Sequence, residues 1–180
     1  MIVAITGGIG SGKSVVSQVL RLLGYPVYDC DANAKRLMNE SVALRESLVK
    51  RFGTDLYRQG AFNAQYLSSI VFADQSALAD LNAIVHPAVK ADIQAWWREK
   101  GGLVFVETAI PYSSGVNQIV DKIWKVTAPT EVRVERVMAR NGMPRVQVEQ
   151  RIASQALEEV QSDKDVVIIN DGTTAVIPQI

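Results

Sequence analysis

The sequence predicts an α/β fold in which a parallel sheet of about five strands is flanked by helices, and three observations carry that expectation. Short β-rich runs recur at Ile2–Thr6, Pro26–Tyr28, Leu103–Val106, Lys122–Val126 and Asp165–Ile169, with helical patterns between them. The first run leads directly into Gly7-Gly8-Ile9-Gly10-Ser11-Gly12-Lys13-Ser14 and then an amphipathic segment, the strand–loop–helix order of a phosphate-binding unit. Between the second and third runs lie about 70 residues, 32–100, of helical periodicity with no convincing strand. One crossover helix needs far fewer, so this excursion is expected to be a helical lobe with a ligand of its own to hold.

The glycine-rich stretch fits the phosphate-loop pattern G-x-x-x-x-G-K-[ST] at every fixed position, which chance would supply in a chain this long at about one per cent. We read it as a nucleoside-triphosphate site on a P-loop NTPase-type sheet. Such a loop aims backbone N–H groups and a helix N-terminus at phosphate oxygens, and glycines leave the main chain room to wrap them. Lys13 then sets a point charge on the β- and γ-phosphates, and the Ser14 hydroxyl is a ligand for Mg²⁺. Val15, Val16, Val19, Leu20, Leu22 and Leu23 supply the apolar positions of the following helix, which Gly24 ends as its C′ residue.

Length and composition bound the rest. A chain of 180 residues holds one full α/β core, so a single domain over 1–180 is expected. Apolar residues at 48% and charged residues at 21% are ordinary globular values. Nineteen basic and nineteen acidic residues cancel, which argues against nucleic acid as the main ligand. The lone Cys30 forms no intramolecular disulfide, and the chain opens straight into a strand, so a cytoplasmic setting is expected. No apolar run approaches the roughly 20 residues that span a bilayer, and no membrane role is expected. A monomer is favoured.

In chain order, the second strand stops at Asp29-Cys30-Asp31. Ligands of open parallel sheets sit outside the carboxyl ends of the strands, so acids there face the phosphates, and Asp31 is our choice of general base. The competing role for either acid is to cap a helix that starts near Ala32. Within the excursion, turn breaks are expected near Gly53, Gly60 and the His86-Pro87 pair. Leu37, Leu44, Leu48 and Phe52 are core-facing by spacing, as are Leu67, Ile70, Val71 and Phe72. His86, the sole histidine, reads as a packing residue where a helix kinks or restarts. Leu103–Val106 ends on Glu107 like a Walker-B strand, which puts that acid on metal or substrate.

Past the fourth strand, a helix from Pro129 onward carries Arg133, Arg136 and Arg140 on one side. A row of guanidiniums suits the oxygens of a migrating phosphoryl group, although a solvated face gives the same pattern. Asn141-Gly142-Met143-Pro144 turns this helix into another, and residues 134–157 are expected to form a lid that keeps water from the nucleotide. Asn170-Asp171-Gly172, which leaves the last strand at the ligand edge, is expected to border the adenine. From Thr173 a terminal helix is expected, cut short at Ile180.

Together these elements make the sequence resemble dephospho-CoA kinases over nearly its whole length. The resemblance rests on Thr6–Ser14, Asp29-Cys30-Asp31, His86-Pro87, Arg136 with Arg140, Arg151-Ile152 with Gln155, and Asn170–Gly172. It implies transfer of the ATP γ-phosphoryl to the ribose 3′-hydroxyl of dephospho-coenzyme A, on a P-loop kinase sheet with a helical coenzyme A lobe and a lid. It further implies that Asp31 takes the hydroxyl proton, that Lys13 and Arg140 stabilise the migrating group, and that Gly10, Ser11, Gly12, Lys13, Ser14 and Val15 bind ATP with Arg136, Asn170 and Gly172. Acceptor contacts then fall to Asp31, His86 and Glu107, and Mg²⁺ to Ser14, Asp31 and Glu107. Three departures stand out: Ala109–Ser113 replaces the usual P-L-L-F-E, with Ser113 at the glutamate position; Val15 replaces a threonine; and relatives continue past Ile180.

The rivals are a kinase for another small hydroxyl acceptor and a non-catalytic ATP-binding regulator. A GTPase is disfavoured because no D-x-x-G follows a strand and no N-K-x-D occurs.

Overall fold

Five parallel strands in the order β2-β5-β1-β6-β7 organise the first of two units in the computed structural model, which describes residues 1–155 and 162–180. That unit comprises Met1–Asp29 and Trp97–Ile180, and the second is Cys30–Trp96. The strands are β1 Ile2–Thr6, β2 Val27–Asp29, β5 Val104–Glu107, β6 Lys122–Thr127 and β7 Asp165–Ile169. β1 and β5 are buried along their whole length, as continuous apolar runs inside a parallel sheet must be. The chain leaves β1 for one side of the sheet and later returns to build the other. The loop after β1 thus opens at the topological switch point, where open α/β sheets bind ligands.

Helix α1, Lys13–Leu22, packs Val16 and Leu20 into a core with Val3, Ile5, Phe105, Val126 and Ile168. Each such side chain, fully withdrawn from water, contributes about 1.5–3 kcal/mol. Phe105 meets Tyr25 edge-on at 5.5 Å and Trp124 at 5.1 Å between ring centroids. The helix stops as expected at Gly24, whose φ is 88°. Gly24 N–H donates to Arg21 O and Tyr25 N–H to Leu20 O, the paired bonds of a Schellman motif. Val15, Leu22 and Leu23, expected among the apolar positions, are 51%, 82% and 61% exposed. They lie off the stripe that Val16 and Leu20 define at i, i+4.

Helices α6, Thr130–Asn141, and α7, Arg145–Ser154, follow β6 and turn at Gly142, whose φ is 62°. Val134, Val137 and Val148 form a small core between them, joined by Ile9, Met143 and Ile152. Residues 156 and 157, the end of the expected lid, lie outside the described residues. After β7 no α-helix forms; Ile177–Gln179 is a single 3₁₀ turn, held by the Gln179 side chain bonded to the Ile169 main chain. The expected terminal helix is corrected accordingly, since Pro178 inside so short a segment leaves too few N–H groups for α-helical turns.

The second unit is helical. It contains α2 Cys30–Glu40, α3 Val42–Phe52, α4 Ala64–Val71 and most of α5 Gln75–Lys100. Ser41 caps α3 by accepting from Leu44 N–H at 3.3 Å, and Asn63 caps α4 from Tyr66 N–H at 3.1 Å. Leu44, Leu48, Phe52, Leu56, Leu67, Ala77, Val85, Val89 and Ile93 are buried. The Tyr57 hydroxyl donates to Met38 O at 2.6 Å, under the Arg45 guanidinium.

Three expectations for this stretch are corrected. A small hairpin, β3 Tyr57–Arg58 and β4 Ala61–Phe62, breaks the helical pattern; Gln59 and Gly60 both take positive φ, as a tight hairpin turn requires. α5 runs unbroken through Pro87, so His86 stands in mid-helix and not at a break. Pro87 removes one backbone bond, which costs about 3 kcal/mol in an isolated helix, but buried Val85, Val89 and Ile93 hold both sides in register. Phe72 is 89% exposed at the end of α4 and faces no core.

Candidate functional site

The loop from Gly7 to Ser14 rises between the carboxyl end of β1 and the start of α1. Gly10 and Gly12 take φ of 79° and 93°, left-handed values that L side chains disfavour. Space is as restrictive as conformation. A Cβ on Gly12 would strike the Asn170 amide, and one on Gly10 would lie 2.5 Å from Arg133 O. The glycines therefore admit α6 and the β7 turn as well as any phosphate.

Strand register sets the floor. β1 and β5 pair Ile5 with Glu107, so the last residue of β5 lies beside the root of the loop. Lys13 and Ser14, the first residues of α1, both reach it. Lys13 Nζ donates to Glu107 Oε1 at 2.9 Å and Ser14 Oγ donates to the same oxygen at 3.2 Å, while Arg21 stands 3.7 Å from Oε2. Glu107 is only 6% exposed. Burial raises its carboxyl pKa, but the hydrogen bond and charge of Lys13 outweigh that and leave it below the model-compound value of 4.5.

A depressed carboxylate stabilises the fold fully above the unfolded-state value and loses that contribution as pH falls below about 4.5 toward the native value. Glu107→Gln is therefore expected to unfold less steeply with acid between pH 5 and 3, in denaturant titrations at stepped pH. Equal slopes in both proteins would mean that the pair adds nothing to stability.

A cleft of about 460 Å³ opens over the loop, lined also by Arg136, Arg140, Gln155 and Asn170. Arg136 Nη1 donates to Asn170 O at 2.9 Å, and Asn170 Nδ2 donates to Ser11 O at 2.9 Å, so the turn after β7 is tied to both α6 and the loop. The Asp171 carboxylate holds that turn by accepting from Thr174 and Thr173 N–H at 2.7 and 2.9 Å. Those bonds, Thr174 first, push its pKa far below the usual carboxylate range. Gly172 continues the turn at φ 94°. Arg140 is exposed at the cleft wall, its Nε donating to Asn141 Oδ1 at 2.7 Å.

Lys13, Ser14 and Glu107 are thus brought together, and Gly10, Gly12, Val15, Arg136, Arg140 and Asn170 surround one cleft with Ser11 beneath it. Asp31 occupies the first turn of α2 and His86 the middle of α5, both in the helical unit. Asp31 is therefore two residues beyond β2 and already helical, not the strand's last acid. Ser113 is exposed between β5 and β6. Three contacts escaped sequence reasoning: Arg21 on Glu107, Arg133 on the loop and Gln155 on the loop. Arg133 and Gln155 carried a signal, one in the arginine row and the other in the R-I-x-x-Q segment; nothing marked Arg21.

The fit to a divalent cation rests on donor chemistry. Ser14 and Glu107 offer hard oxygens side by side, which suits Mg²⁺, and the remaining ligands would come from phosphate and water. Among the described residues no group of three His, Cys, Asp or Glu side chains could hold a metal by itself. No helix among them is long and apolar enough to cross a membrane.

Comparison with known proteins agrees in sequence and in shape. The family model described as CoaE, dephospho-CoA kinase, matches residues 1–175. The dephospho-CoA kinase of Porphyromonas gingivalis is 40% identical over 181 residues, which cover 99% of this chain and 90% of that protein. That of Geobacter sulfurreducens is 41% identical over 178 residues, 96% of this chain and 90% of its own. Among solved structures, TT1252 from Thermus thermophilus superposes with a TM-score of 0.78 at 34% identity, over 96% of this chain and 90% of that one. A Campylobacter jejuni dephospho-CoA kinase does so at 0.70 and 23% identity, covering 99% and 90%, which speaks for the fold.

Proposed function

The chain belongs to the dephospho-CoA kinase family, and from that premise we propose how its own residues divide the work of moving a phosphoryl group from ATP to dephospho-coenzyme A. The observation that carries the reading is the meeting of Lys13, Ser14 and Glu107 at the floor of the loop. A phosphoryl transfer needs little covalent help from protein; it needs positioning and charge.

The N–H groups from Gly10 to Val15 cradle the phosphates. Arg136, Asn170 and Gly172 border the nucleoside end, an assignment supported by the bonds that tie them into one wall. Lys13 exchanges Glu107 for phosphate oxygens, and Arg140 from the cleft wall adds charge to the group in flight. The cation that accompanies ATP, Mg²⁺, would be held by Ser14, Glu107 and Asp31 and would supply charge neutralisation between the β- and γ-phosphates. Asp31 takes the proton of the ribose 3′-hydroxyl as its oxygen bonds to Pγ and the bridge from Pγ to the β-phosphate breaks. ADP leaves. The helical stretch 32–100 binds the acceptor with His86, and 134–157 closes as a lid. Neutral overall charge and a single cysteine support a monomer at work in the cytoplasm, without nucleic acid.

A coupled assay with purified protein, ATP, Mg²⁺ and dephospho-coenzyme A tests the reading, with the 3′-phosphate of the product confirmed by mass. ADP release is expected to rise many-fold with dephospho-coenzyme A and scarcely with adenosine or shikimate. Equal response to shikimate would name another acceptor, and no response to any acceptor would make the chain a nucleotide-binding regulator.

A further inference from the structure

We propose that Arg133 and Gln155 are positioning residues for the phosphate loop, acting through the main chain of Ile9. Ile9 N–H donates to Gln155 Oε1 at 2.7 Å, and Ile9 O accepts from Arg133 Nε at 2.9 Å. The peptide groups on both sides of one loop residue are thus fixed by side chains from outside the loop. The Ile9 side chain packs on Val134, Val137 and Val148, with Met143 and Ile152. The Arg133 guanidinium also fills the place that a Cβ on Gly8 would take, so it backs the preceding residue too.

Two facts give this grip a purpose. Ile9 immediately precedes Gly10–Ser14, and the tilt of its peptides sets the direction in which the following N–H groups point. Within the loop, a bond from Ser11 N–H to Gly8 O at 3.1 Å closes a turn around Ile9 but leaves both of its own polar groups to outside partners. Released from Gln155, the Ile9 N–H would have to turn toward water or inward, and the phosphate-facing array would lose its alignment. Secondly, Arg133 lies in the first turn of α6 and Gln155 directly follows α7. Both ends of the helix pair are therefore fastened to one loop residue, so the packing of the pair and the shape of the loop form one mechanical element.

The inference deepens the ATP-site reading and rests on it only for its kinetic part. Gln155→Leu removes the acceptor at similar volume, whereas Gln155→Glu keeps an oxygen in place. In the nucleotide-free protein, exchange of the Ile9 amide hydrogen followed by NMR is expected to accelerate about tenfold in the leucine variant, the weight of one lost hydrogen bond, and to stay within about threefold of wild type in the glutamate variant. KM for ATP is expected to rise about tenfold in Gln155→Leu, while KM for dephospho-coenzyme A stays within about twofold.

Ile9→Ala keeps both main-chain bonds and removes only the packing. Its amide protection and KM for ATP are expected to stay within about threefold of wild type, with a lower melting temperature. Unchanged Ile9 exchange in Gln155→Leu, equal acceleration in the leucine and glutamate variants, or a loss of ATP affinity in Ile9→Ala as large as that in Gln155→Leu would each overturn the proposal. Exchange that follows the expected order in a protein that turns over no ATP would uphold the positioning and sink only the catalytic reading.

Discussion

Lys13→Met is expected to lower kcat/KM for ATP about a thousandfold and, separately, to destabilise the protein. The first effect follows from charge: removing one preorganised cation or donor from an oxyanion site typically costs about 10²–10³ in rate, and Lys13 faces both the ground-state phosphates and the migrating group. The second follows from Glu107. With only 7% of its side-chain surface exposed, it loses its 2.9 Å partner and keeps Ser14 and a more distant Arg21. Breaking a buried pair costs about 3–5 kcal/mol, and with Arg21 remaining and Lys13 itself 17% exposed we expect about 1–3 kcal/mol here. The two effects come apart in Lys13→Met/Glu107→Gln, which removes the stranded charge. That double variant is expected to recover most of the stability in urea titrations and none of the activity. If the double variant is no more stable than Lys13→Met, the Lys13–Glu107 pair is not what holds this corner of the fold.

Much of the sheet unit was legible because its signals are local. β7 has the limits that the Asp165–Ile169 run predicted, and Gly24 ends α1 with both Schellman bonds in place. The phosphate loop could be read letter by letter, since each fixed residue answers a requirement of its immediate neighbours. What stayed hidden acts across space. Arg133 and Gln155 grip Ile9 from 124 and 146 residues away, and no periodicity reports a side chain that bonds a distant main chain. The hairpin at 57–62 was missed because strands of two residues are too short to alternate. Pro87 misled for the opposite reason: its local signal is strong, and burial on both sides of it overrode that signal. Phe72 shows the limit of spacing itself, for an apolar residue at the right interval still faces solvent when the helix ends beneath it.

Asp31→Asn is expected to lower kcat by about 10²- to 10⁴-fold, the usual weight of a general base, with ATP affinity close to wild type. The nucleotide cleft is built from the loop, α6, Ala109, Gln155 and Asn170, and no residue of the helical unit lines it. Loss of the carboxylate should therefore leave nucleotide binding alone. Asparagine matches the shape of aspartate, so α2 keeps its first turn and forfeits only a favourable charge at a helix N-terminus, about 0.3–1 kcal/mol. A fall in rate larger than that cannot be charged to the helix. One ambiguity remains chemical, because an acid here serves equally as proton acceptor or as a ligand to the cation. Raising Mg²⁺ separates the two: a lost ligand weakens cation binding and is compensated by mass action, so kcat would climb back at high Mg²⁺. A lost base leaves the hydroxyl proton with nowhere to go at any cation concentration. We expect the rate to stay low across the Mg²⁺ titration; full recovery would move Asp31 from the proton to the metal.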